Sequence, residues 1–141
     1  MKLHRARRGQ AGFTLIEALV AILMFSLGVL ALVGLQATAV QQSGNAKMRA
    51  DASLLAGRLI GQMWTGDRTP TTLKDNYQTD GAAYRLWQTD VEAALPGAKD
   101  NPPTVVITDT GQVTVTILWK APSEPASDPV HQHVTVAQIS N

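Results

Sequence analysis

The sequence has no cysteine, only two phenylalanines and two tyrosines, and few charges among its 141 residues. The missing thiols remove disulfides, Cys-ligated zinc, thiol catalysis and iron–sulfur clusters, without fixing the compartment. Charged residues make up 16%, below the quarter or so usual in a soluble domain. The formal net charge of +1 lacks the basic surplus of a nucleic-acid binder. Hydrophobic residues nevertheless reach 45%. The length suits one domain, or a small domain plus an appendage.

These averages hide a segregation. Lys2, Arg5, Arg7 and Arg8 precede Phe13 with no acid among them. From Phe13 to Leu35 nearly every residue is apolar or small, and Glu17 is the one charge. As a helix this run is about 35 Å long, enough to cross a hydrocarbon core of about 30 Å. The basic flank predicts a cytoplasmic amino terminus, with everything after Leu35 on the other side. A buried helix of a soluble core is the bland alternative, but so long a run is unusual in so small a protein. Other readings are an ordinary secretory signal cut near Ala37-Thr38-Ala39 and a plain single-pass anchor. The first needs an apolar stretch of only about 7–15 residues. Arg7-Arg8 is not continued as a twin-arginine motif.

Glu17 is the informative residue. Insertion scales put an Asp, Lys or Arg at a membrane-helix centre at about 2.5–3.5 kcal/mol, and less near an end. The apolar run offers no cation. A free α-amino group would serve, if the chain were cut just before Phe13, and a neighbouring subunit's amine could reach the carboxylate. The bland reading is a tolerated carboxylate favouring the positive dipole of the helix start.

The string Gly12-Phe13-Thr14-Leu15-Ile16-Glu17-Ala18-Leu19-Val20-Ala21-Ile22 resembles the class III leader and helix start of type IV pilins and type II secretion pseudopilins. The resemblance implies cleavage after Gly12 by an inner-membrane prepilin peptidase, N-methylation of Phe13 by the same enzyme, and a subunit-assembly role for Glu17. Many major pilins carry a helix proline near the position of Gly34; here only Gly28 and Gly34 weaken the helix, by about 1 kcal/mol each relative to Ala. Major pilins also often carry a carboxy-terminal Cys pair, absent here. The stretches Leu27–Gln36, Leu54–Met63 and Val115–Trp119 are similar to the PilV minor pilin family. A minor pseudopilin of a type II secretion system shares the apolar run, and a single-pass anchored periplasmic binding domain is the reading from another class.

Beyond the apolar run, Met48, Ala52, Leu55, Leu59 and Met63 recur at helical spacing. One helix is therefore expected from Phe13 to about Trp64, with a weak point at Gly44-Asn45. Gly57 and Gly61 suggest close packing against a sheet. Gly66 to Thr72 reads as a helix stop, and Asp80–Leu95 as a short helix with Tyr84, Leu86, Trp87, Val91, Ala94 and Leu95 as its apolar set. Asn101-Pro102-Pro103 reads as a linker. Thr104–Thr108 and Val113–Trp119 are β-branched runs around a hairpin signal at Asp109–Gln112. Val113, Val115, Ile117 and Trp119 should be buried. Ala121–Pro129 is a loop, and Val130–Ile139 a third strand alternating at Val130, Gln132, Val134 and Val136. The expected fold is α+β: a long amino-terminal hydrophobic helical spine packed on a small antiparallel sheet. It divides into a cleaved leader (1–12), a transmembrane and fibre-core helix (13–35), an amphipathic second half of the spine (36–65) and a small periplasmic domain (66–141).

Little else suggests chemistry. His131 and His133 share a strand face and form half of a metal site, but no third ligand is evident, because His4 lies in the leader. Ser26 has no nearby base and can bond back to the helix. Asp90 and Glu92 read as a solvated face, and Trp64, Trp87 and Trp119 as core anchors. The sequence thus suggests no enzyme, cofactor or metal. The partners implied are prepilin peptidase, other minor pilins, the major pilin and, before assembly, the inner membrane, with no direct nucleic-acid binding.

Overall fold

The computed structural model of the chain describes residues 11–139, with side chains from Thr14 onward. The leader expected over residues 1–12 lies outside the described residues, apart from the backbone at 11 and 12. Helix α1 spans Ala11–Thr65 without interruption. The described chain falls into two units that meet between Gln41 and Gln42.

In the first unit, no side chain from Thr14 to Gln41 is buried. Leu15, Met24, Phe25 and Leu35 are each about two-thirds exposed or more. The helix is long and apolar enough to cross a membrane. Two hydroxyls satisfy themselves within it: Ser26 Oγ donates to Ile22 O at 2.7 Å and Thr38 Oγ1 to Gly34 O at 3.2 Å. This is the back-bonding available to Ser and Thr in apolar surroundings. Gly28 and Gly34 do not interrupt the helix.

The second unit holds the core. Gly44 and Asn45 stay helical, so the weak point expected there is not a break; without proline, two weak helix formers are carried by their neighbours. Ala52, Leu55, Ala56, Leu59 and Met63 are buried and Met48 half-buried, which is the stripe read from the spacing. Gly57 and Gly61 face open space, where an added Cβ meets nothing within 4 Å. The close packing expected of them is absent.

Two short helices follow. Helix α2, Pro70–Tyr77, falls partly where a helix stop was expected. Pro70 sits in the first turn, where its missing N–H costs nothing. Asp67 prepares the turn by accepting from the Thr69 N–H at 2.9 Å and from Thr72 Oγ1 at 3.0 Å. Helix α3, Ala82–Ala94, buries Tyr84, Trp87 and Val91, while Leu86 and Ala94 of its expected apolar set are exposed. Trp87 Nε1 donates to Leu55 O at 2.9 Å, tying α3 to the helix over residues 42–65.

Strands β1 (Thr104–Ile107), β2 (Gln112–Trp119) and β3 (His131–Gln138) form one antiparallel sheet in the order β1-β2-β3. Val113, Val115, Ile117 and Trp119 are buried as expected. The β1–β2 hairpin turns at Gly111, whose φ is +77°. In β3 the alternating set faces outward: Val134 and Val136 are exposed and His131, His133, Thr135 and Ala137 are half-buried. The register explains this, because β3 pairs Thr135 with Val115 and Ala137 with Val113, and opposed residues share a face. The arrangement is α+β, a long helix with a small antiparallel sheet.

Candidate functional site: the amino-terminal helix

The apolar half of α1 brings the sequence-derived site residues onto one element. Gly12 and Phe13 lie in its first turns by backbone, and their side chains fall outside the description. Glu17 follows Phe13 by four residues, about 6 Å along the axis. It is exposed and has no ion-pair partner among the described residues. The next charge along α1 is Lys47, about 45 Å away at 1.5 Å per residue. Glu17 is therefore a single carboxylate on an unbroken apolar surface. Burying it in lipid unpaired is costly, and the apolar half of the helix, residues 13–35, supplies no cation.

The remaining candidates are engaged elsewhere. His131 and His133 do share a face, but each has its own partner. His131 Nε2 lies 2.7 Å from Glu124 Oε1 and its ring stacks on Trp119 at 5.7 Å and 21°. His133 Nε2 lies 2.9 Å from Thr135 Oγ1. The hydrogen bond from His131 holds the Glu124 carboxyl below its ordinary range, helped by the Ala121 N–H. Among the described residues, no group of three or more His, Asp or Glu is placed to hold a metal. Asp90 faces Arg58 at 3.2 Å, beside a small groove lined by Gln62, Ala83, Leu86 and Trp87. Glu92 accepts from Gln88 at 2.8 Å and is half-buried. Trp87 and Trp119 anchor the core; Trp64 does not, being half exposed with Arg68 over its ring at 5.7 Å. Glu124 was missed as the partner of His131, since the six residues between them cross a loop with no local pattern.

Residues 7–33 match the family model described as the prokaryotic N-terminal methylation motif. Comparison with curated proteins and with solved structures returned no match. The matched stretch contains Gly12, Phe13 and Glu17 and ends within the apolar run. Most of the matched stretch lies on α1, and a hydrophobic amino-terminal helix carrying this motif fits single-pass anchoring in the inner membrane. The amino-terminal segment thus carries the motif that type IV pilin-like and pseudopilin-like prepilins present to prepilin peptidase.

Proposed function

We propose that the chain is a minor type IV pilin of the PilV kind, acting in the initiation and assembly of the pilus. The precursor inserts with Arg5, Arg7 and Arg8 in the cytoplasm and residues 66–141 in the periplasm. Prepilin peptidase cuts after Gly12 and methylates the new amine of Phe13. Glu17 then pairs with the amine of a neighbouring subunit, and the segment 13–35 leaves the membrane for the fibre core, joining other minor pilins and the major pilin. The observation that carries this reading is the methylation motif over residues 7–33, with Glu17 as the one charge on the apolar helix.

The physical logic is neutralisation. Removing the leader creates a cation at the point where the mature helix begins. An offset between adjacent subunits brings that amine to a carboxylate that is costly to leave alone in lipid. Methylation keeps the charge of the amine while making it less hydrated.

The test is to express Glu17→Ala in a host that makes pili. Leader removal should stay normal, and incorporation into sheared fibres should fall at least about tenfold, as expected for loss of a desolvated charge pair. Wild-type incorporation by the variant would overturn the role of Glu17. Mass spectrometry of the mature protein should show methylated Phe13 at the amino terminus; a start at Val40 would mean ordinary signal cleavage. A type II secretion pseudopilin shares the same motif. Deleting the gene separates the two, since loss of pili with intact protein secretion fits the pilin and the reverse fits the pseudopilin.

A further inference from the structure

The sheet has two edges, and they are finished differently. At β1, Thr79 closes the edge: its N–H donates to Val105 O at 3.2 Å and its hydroxyl accepts from the Val105 N–H at 3.0 Å. At β3 nothing comparable occurs. The Ile139 N–H donates to Gly111 O at 2.8 Å, which fixes the phase of the β2–β3 ladder. Antiparallel pairs alternate between bonded and non-bonded positions. Counting back from Ile139 through the register, Ala137, Thr135, His133 and His131 occupy the bonded positions toward β2. The backbone N–H and C=O groups of Gln132, Val134, Val136 and Gln138 therefore point away from the sheet. No hydrogen bond among the described residues engages them.

The side chains of the same four residues stand on the bare face. Val136 lies in a row with Thr114 and Val106, and Val134 in a row with Thr116 and Thr104. Val106, Val134 and Val136 are each about half exposed. Strand edges are normally defended by lysine, proline, a bulge or a covering loop. From Val130 to Ile139 there is no Lys, Arg, Asp, Glu or Pro, and the pairing with β2 runs from Trp119↔His131 to Gln112↔Gln138 without a skipped residue.

We propose that β3 is a docking edge that receives an extended, uncharged, β-branched segment of a different protein chain. The added strand would take up the outward backbone groups of residues 132, 134, 136 and 138, in the manner of β-augmentation. Its neutrality follows from the edge: a charged side chain set against Val134 or Val136 would find no opposite charge in the adjoining rows. A second copy of this chain fits poorly. Antiparallel pairing of β3 with itself requires a two-fold axis normal to the sheet. The helix over residues 48–63 packs its Leu55, Leu59 and Met63 face into the core beneath that sheet, so such an axis reverses its direction. On the proposed function, on which this step rests, the subunits of one fibre point the same way, so a pairing that reverses this helix between two copies does not fit it. Parallel self-pairing would set the buried face of one sheet level with the bare face of the other.

The experiment uses the full chain in detergent micelles and reads backbone amide exchange by NMR, so it does not depend on fibre formation. The probe is a synthetic peptide copying residues 112–119, with lysines added outside that stretch for solubility; it is the strand that β3 already accepts on its other edge. In the chain alone, the amides of Gln132, Val134, Val136 and Gln138 should exchange freely while those of His133, Thr135 and Ala137 are protected. Adding the peptide should slow the four outward amides at least about tenfold and leave the other three unchanged. Val134→Pro removes an amide that bonds to nothing within the chain, and Val134→Lys keeps the amide but adds a charge; each should abolish the added protection while the near-ultraviolet circular dichroism of Trp87 and Trp119 is retained. Absence of added protection in the wild-type chain would overturn the proposal. So would protection of the four amides that rises with the chain's own concentration, which would mark a second copy as the occupant.

Discussion

At the scale of single residues, the sheet depends on Gly111 for its first turn. Gly111 combines φ +77° with an added Cβ that would lie 2.1 Å from Ile139 O. A left-handed alanine costs about 1–2 kcal/mol, and here the β1–β2 turn and the Ile139 hydrogen bond must also shift. Gly111→Ala is expected to lower unfolding free energy by at least about 2 kcal/mol, read from the denaturant midpoint. Gly44→Ala is the matched contrast: it is helical, with open space around an added Cβ, and should gain up to about 1 kcal/mol. Three carboxylates couple stability to acid. Glu124 is held below its ordinary range by His131, Asp109 by Lys74, and Asp67 by the Thr69 N–H and Thr72. A lowered folded-state value means the contribution is complete above the unfolded value, about 4. It is lost as pH falls through the folded values. Stability should therefore decline as the pH is lowered past about 4, and a chain carrying Glu124→Gln, Asp109→Asn and Asp67→Asn should show a flatter acid limb in urea titrations.

At the scale of elements, the two faces of the helix over residues 42–65 differ sharply. Leu59 is fully buried and Leu54 is 71% exposed. Leu59→Ala should cost about 2–5 kcal/mol, and Leu54→Ala should stay within about 0.5 kcal/mol; similar losses at both would contradict the assigned face. That face was legible because α1 repeats its apolar residues over many turns. The methylation motif was legible for a related reason: the match over residues 7–33 is a property of contiguous sequence, with no need of tertiary contacts. Short elements gave less. In α2, Pro70 resembles a stop until Leu73 and Tyr77 are seen to pack on the core, since proline suits a first helical turn as well as a loop. In β3 the alternation was visible but not its direction. Val134 and Val136 are the more apolar set, yet the register with β2 turns Thr135 and Ala137 inward, and single-strand patterns carry no information about pairing phase. Leu86 and Trp64 are large apolar residues left outside for the same reason: the neighbours that decide burial are distant in sequence.

At the scale of the whole molecule, the chain joins a unit that buries none of its described side chains to one that owns the core. Among the described residues every buried hydrophobic lies between Ala52 and Ile139, and none lies between Thr14 and Gln41. Charge follows the same division. Removal of residues 1–12 leaves 8 Lys and Arg against 11 Asp and Glu, and of these only Glu17 precedes Lys47. On the proposed cleavage after Gly12 the formal balance would move from +1 to about −3, with almost all charge on the second unit. A polypeptide of residues 42–141 should accordingly be monomeric and soluble without detergent, whereas the full chain, with its run of exposed Leu, Val, Ile and Phe, should require detergent or lipid. Because the described residues of α1 up to Gln41 contribute nothing to the core cluster, the truncated unit should unfold cooperatively within about 0.5 kcal/mol of the same unit in the full chain. Its near-ultraviolet circular dichroism should match, since Tyr84, Trp87 and Trp119 keep their surroundings. Loss of that signal on truncation would mean that the apolar helix takes part in folding the second unit. A matching signal in a protein that no longer partitions into membranes would show anchoring and folding to be separate properties of the two halves of one helix.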